Sequence, residues 1–235
     1  MKEINLRTPK AYGQRVKSKS NLVEIRKKYF LVVEGSKTEI QYFNGIFNYR
    51  RELNINTLID IIVLERESRN ATDSHPIHIL NGIINKLKET GEDKLDYRSE
   101  IDEIWLIFDR DPSSLNKVQF EYIDKMCKQY GFHIGLSNPN FEFWLLLHLS
   151  GIEKYDKSLL LENKKVGAKR RFIEKELSNR LEGGYNKNNI GFERFKENVY
   201  LAIEQEKFFC EDIYEMINLL GSNIGLLLSS MMNNW

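Results

Sequence analysis

Four times over, a short, mainly apolar run is followed by a segment with helical spacing, and this alternation limits the fold more than anything else in the chain. The runs are Tyr29-Phe30-Leu31-Val32-Val33, Leu58 to Leu64, Ile104-Trp105-Leu106-Ile107-Phe108 and Phe132-His133-Ile134-Gly135-Leu136. Runs of this length without polar alternation suit strands buried on both faces. The segments between them place apolar residues at helical intervals, such as Ile77, Leu80, Ile83, Ile84 and Leu87, with Gly91 as a terminator. Ser36 suits the cap of the first helix, Pro112 with two serines opens the third, and Phe141 to Leu149 reads as an apolar fourth. Strand and helix in alternation predict an α/β fold, a Rossmann-like parallel sheet flanked by helices, joined by right-handed crossovers.

Beyond Gly151 no strand is expected. Helices are expected over about 157–181, around Phe195 to Ile203, over Ile213 to Leu220, and after a Ser222 cap. The reading divides the chain into a basic segment over 1–27, a catalytic domain over 28–150, and an all-helical extension over 151–235 packed on the same core.

The charge balance is +1 in total, but residues 1–28 carry nine Lys or Arg against Glu3 and Glu24. A second basic stretch runs from Lys164 to Arg171. Such clusters attract phosphate backbones, and they also suit a merely solvated surface. Cys127 and Cys210 are expected as reduced thiols. No stretch reaches the ~18 apolar residues of a membrane span, so a cytoplasmic protein with no membrane association is expected.

In a parallel sheet, ligands bind beyond the carboxyl ends of the strands. The first run ends in Glu34-Gly35, the third in Asp109-Arg110-Asp111, and the fourth in Ser137-Asn138-Pro139-Asn140, with Glu142 just beyond. Asp109 and Asp111, two apart on extended chain, point to one side. Paired carboxylates repel unless a cation or a proton lies between them, and magnesium takes carboxylate oxygens together with substrate phosphates. Glu34 also suits a helix N-terminal acid, and Asp109 to Asp111 also suits a turn.

These residues resemble the TOPRIM domain, through Val33-Glu34-Gly35 and Phe108-Asp109-Arg110-Asp111. A finer similarity is to the RloB-like (AbiLii) family of bacterial defence proteins. It rests on Glu34-Gly35-Ser36-Lys37-Thr38-Glu39 with Tyr42-Phe43, on the 108–111 run, and on Ser137-Asn138-Pro139-Asn140-Phe141-Glu142-Phe143-Trp144 through His148. The resemblance implies a metal-dependent endonuclease in antiphage defence (abortive infection), acting on DNA or on tRNA or other RNA with magnesium or manganese. It implies Glu34, Asp109 and Asp111 as metal ligands, Glu39 as a second acid, Glu142 at a second metal, and Asn138 as an orienting group. Lys187 would neutralise the transition-state phosphate, or would be a solvated loop lysine, and Lys37 would contact a phosphate.

The resemblance implies an ABC-type ATPase partner too. The chain has no Gly-x-x-x-x-Gly-Lys-Ser/Thr loop of its own, so a nucleotide-driven switch would come from elsewhere, and a homo-oligomer is open. The alternatives are a non-catalytic metal- and nucleic-acid-binding assembly module and, less favoured, an aspartyl-phosphate enzyme. His75 and His78 lack the companions of a zinc site. His148, Trp105 and Trp144 read as core, with a supporting role open for His148.

Overall fold

The computed structural model describes residues 27–34, 37–64, 75–91, 94–111, 115–167 and 170–232, without the side chains of Glu34, Val63, Leu64 and His75. The basic segment up to residue 26, Ser36, and the Pro112 and serine helix opening lie outside the described residues.

The four apolar runs are strands β1 (Lys28–Glu34), β2 (Leu58–Leu64), β3 (Glu103–Asp109) and β4 (His133–Asn138). The helices between them are α1 (Lys37–Asn48), α2 (His75–Lys86) and α3 (Lys117–Tyr130). The strands lie in the order β2-β1-β3-β4, all parallel, so the fold is the expected Rossmann-like α/β arrangement.

Alternate strand residues divide between two cores, as a period of two requires. Tyr29, Leu31, Val33, Trp105 and Ile107 face one core, which also receives α1. Phe30, Val32, Ile104, Leu106 and Phe108 face the other, built from α2 and α3. The helix after β1 and the helix after β3 therefore lie on opposite faces. Adjacent strands whose connections leave in opposite directions form a switch point, where a parallel sheet opens a crevice beyond its carboxyl edge. Here the switch point lies between the ends of β1 and β3, at Glu34 and Asp109.

After β4 comes α4 (Phe141–Leu146), buried at every residue. Then follow α5 (Lys157–Glu162), α6 (Phe172–Arg180), α7 (Glu193–Lys196), α8 (Val199–Glu206), strand β5 (Gly221–Ser222) and α9 (Ile224–Met232). Leu160, Ile173, Phe195, Ala202 and Leu227 from these elements share one core with Tyr29, Val33, Phe43 and Trp144.

Several local expectations differ from the structure. The chain after Gly151 is not wholly helical: Gly221–Ser222 pairs antiparallel with β4, Ser137 opposite Ser222. A side chain on Gly221 would collide with the Cys210 carbonyl, so the missing Cβ is what admits this strand. The 157–181 segment is two helices, not one, because Asn163 takes a left-handed φ of 39° and ends α5. Over 213–220 only a 3-10 turn forms, Glu215–Ile217. Asp212 Oδ1 accepts from the amides of Tyr214 and Glu215, a local bond that competes with a continuing helix. The third helix starts at Lys117 on a capping box, in which Asn116 Oδ1 accepts from Gln119 N and Gln119 Oε1 from Asn116 N. Gly91, with φ 80°, lies past the end of α2 and does not terminate it.

Cys127 and Cys210 are free thiols. Among the described residues, no helix is long and apolar enough to cross a membrane.

Candidate active site

Three elements carry acids to the carboxyl edge of the sheet. Asp109 is the last residue of β3, opposite Ser137 of β4. Glu39 lies in the first turn of α1 and Glu142 in the first turn of α4, and both are buried. Acids in first turns complement the helix N-terminal charge, which partly offsets their desolvation.

Asp109 keeps one side toward a cleft of about 530 Å3, whose lining includes Asp111, Asn138, Asn140 and Arg171. Its Oδ1 is buried and accepts no hydrogen bond. Burial first, then the charges of Glu39 and Glu142, hold the Asp109 carboxyl well above the usual carboxylate range. An N–H bond from Phe141 and the charge of Lys187 act the other way and do not prevail. A carboxylate with one buried, unbonded oxygen among like charges is costly, and a cation or a proton relieves it.

Beside it lies a bonded network. Glu142 Oε1 accepts from Tyr185 Oη and from Lys187 Nζ, each at 3.0 Å. The Lys187 ammonium also lies 2.7 Å from Glu174 Oε1 on α6. Tyr185 Oη is 3.5 Å from Thr38 Oγ1 of α1. Desolvation would lower the Lys187 pKa, but the two carboxylates outweigh it and hold it above its ordinary value. Burial, and then Glu142, push the Tyr185 phenol pKa up.

The other expected residues are spread around this centre. Glu34 ends β1 at the same edge, opposite Leu64 of β2, and its side chain lies outside the described residues. Asp111 is exposed on the cleft wall. The Asn138 amide, although it lines the cleft, donates to the carbonyls of Met216 at 2.7 Å and Leu219 at 3.0 Å. Lys37 is exposed and donates to Asn188 Oδ1 at 3.0 Å.

His148 is wholly buried, with Nε2 3.0 Å from Tyr42 Oη and Nδ1 3.1 Å from the Trp144 carbonyl. Burial lowers its pKa to about 4, as suits a core imidazole.

Glu174, Tyr185, Thr38 and Arg171 were not among the expected site residues. Glu174 sits in a helix rich in charged residues, where nothing local distinguishes the one buried acid. Tyr185 stands two before Lys187, and that proximity was the only signal for it.

The donor chemistry around Asp109 suits a hard divalent cation, because it offers carboxylate oxygens, one of them buried and unsatisfied. Among the described residues, however, no group of three or more His, Cys, Asp or Glu side chains is gathered closely enough to hold a metal ion. His78 has no such company either.

The family model described as RloB-like protein matches residues 29–231. No curated protein and no solved structure matches the chain. The matched span runs from β1 to α9 and so takes in every acid and base of the site.

Proposed function

The chain belongs to the RloB-like family, and from that premise we propose that it is a metal-dependent nuclease that hydrolyses nucleic-acid phosphodiester bonds. The observation that carries this reading is the unsatisfied Asp109 Oδ1, buried at the switch point among like charges. Retaining such a carboxylate costs stability, and a cation held there offsets the cost. Glu34, Asp109 and Asp111 would hold magnesium or manganese, with Glu142 as a further ligand. Bound metal supplies Lewis-acid stabilisation of a phosphoryl oxygen and an activated water.

The chain's own residues have separate tasks in this reading. Lys187, held by Glu142 and Glu174, keeps a positive charge beside the acids and stabilises negative charge that builds on phosphate. Glu39 adds charge from the α1 side. Asn138 braces the cleft floor and does not reach for substrate. The role in antiphage defence and the partner ABC-type ATPase rest on family analogy alone.

The reading is tested by incubating the protein with plasmid, single-stranded DNA and total tRNA in magnesium or manganese. Cleavage of one substrate by the wild type, lost in Asp109→Asn with the fold retained, is the expected result. Equal cleavage by the variant removes Asp109 from the reaction. A wild type that shifts melting temperature with metal but cuts nothing supports the alternative, a metal-binding assembly module.

A further inference from the structure

The basic stretch Lys164 to Arg171 has no task in that mechanism, yet Asn163 just before it and Arg171 at its end both line the cleft. After α5 ends at the left-handed Asn163, the chain doubles back on itself. Lys165 and Arg171 form an antiparallel bridge, Val166 N donates to the Arg170 carbonyl, and Phe172 N donates to the Lys164 carbonyl, each bond 2.9 Å. Gly167 has a φ of 91°, a conformation that disfavours any side chain at this point of the reversal.

The base of this hairpin is fixed. Asn163 is buried, and its Oδ1 accepts from Ile173 N at 3.0 Å, which ties the end of α5 to the start of α6. Lys164, Lys165, Arg170 and Arg171 are all exposed. Arg171 lines the same cleft as Asp109 and Asp111. Glu162 pairs with Lys164, Ser178 accepts from Arg170, and the Asn163 carbonyl accepts from Arg171 at 3.4 Å. Of the four, Arg171 is the one that lines the cleft, and Lys165 is its partner across the bridge.

A cationic surface beside an acidic cleft solves a specific problem. Acids that suit a metal also repel the polyanion on which that metal would act, and the attraction must come from a neighbouring surface. We infer that the two limbs of this hairpin, through Lys165 and Arg171, are the nucleic-acid docking element of this chain, with Arg171 gripping a backbone phosphate next to the one presented to Asp109. This rests on the nuclease reading for its orientation, but binding by the hairpin can be measured without cleavage. Arg suits the position because its planar fork bonds phosphate oxygens in pairs.

The experiment titrates the full chain in EDTA with a fluorescein-labelled single-stranded oligonucleotide and, separately, with labelled total tRNA, over a range of salt. The proteins are the wild type, Lys165→Ala/Arg171→Ala, and Lys86→Ala as a control, since Lys86 ends α2 on the opposite face. The double variant is expected to bind at least about fivefold more weakly at low salt. Its log-affinity against log-salt slope should be shallower by about 0.7 for each lost contact to a single strand. Lys86→Ala should match the wild type. An unchanged slope in the double variant, with its circular dichroism intact, overturns the inference, and so does a wild type that binds neither probe.

The two readings fail separately. A wild type that binds through the hairpin but cuts nothing in magnesium or manganese removes the nuclease reading alone. A hairpin variant that binds and cuts like the wild type removes the docking role alone.

Discussion

Lys187 holds its ammonium between Glu142 and Glu174, 3.0 and 2.7 Å from their carboxylate oxygens, and so joins α4 to α6 across one buried charge cluster. Both acids are buried while the lysine is about half-exposed, so the cation is the more replaceable member for solvation and the less replaceable one for charge.

This gives an ordering of variants. Glu142→Gln leaves Lys187 paired with Glu174 and leaves Tyr185 an oxygen to bond. Its cost in a denaturant titration is expected near 1 kcal/mol. Lys187→Met strands two buried carboxylates and is expected to cost more, about 2 kcal/mol after allowance for the exposed lysine. If Glu142 serves the reaction, Glu142→Gln also loses at least about tenfold in cleavage, ~1.4 kcal/mol of barrier. A Glu142→Gln protein that cuts at the wild-type rate returns this residue to a purely structural role.

Asp109 sets a second expectation, in pH. Its folded pKa is raised, so the folded state keeps a proton that the unfolded state has lost. Its contribution to stability therefore falls as pH rises from the ordinary carboxylate range toward the raised value, then levels off. Asp109→Asn removes that loss. The variant is expected to be no more stable than wild type at about pH 4 and more stable at neutral pH. Magnesium should raise the wild-type melting temperature at neutral pH and leave the variant's unchanged. Identical pH profiles for the two proteins would remove Asp109 from the buried cluster.

Glu206 offers a control outside the acidic cleft. It is wholly buried on α8, and its Oε1 accepts from Gly225 N at 3.0 Å near the start of α9. Gly225 has no Cβ, and one there would strike the carboxylate. Burial, the largest influence, pushes the Glu206 pKa up to about 8. Its stabilising contribution thus declines between its ordinary value of 4.5 and about 8. Glu206→Gln keeps the oxygen that Gly225 needs and cannot ionise. The gain over wild type should be near zero at about pH 4 and on the order of a few kcal/mol at about pH 9. A gain that does not grow with pH would show that Glu206 ionises freely in the folded state.

How far the sequence announces all this depends on the length of the signal. The strands of the parallel sheet were legible because each carries a short, mainly apolar run, and β1 and β3, in the middle of the sheet, are buried on both faces. Asp109 and Glu142 were legible because they interrupt or follow such runs, where an acid has no solubility role. β5 was not, since two small residues carry no periodicity and its pairing depends on the close approach of Cys210 to Gly221. Glu174 was not, because its partner, Lys187, lies on the loop after α6 and nothing local to α6 announces the pair. The 213–220 segment has helical spacing, but Asp212 bonds the first amides and Asn138 takes the later carbonyls.

Those two bonds from Asn138 have a mechanical consequence. Its amide grips the carbonyls of Met216 and Leu219, while Asn138 itself ends β4 and faces the cleft. Tyr214 and Leu219 of the same loop are about half-exposed on the outer surface. The loop is thus a handle fastened to the cleft floor: it cannot be pulled outward without either breaking two hydrogen bonds or dragging the end of β4 with it.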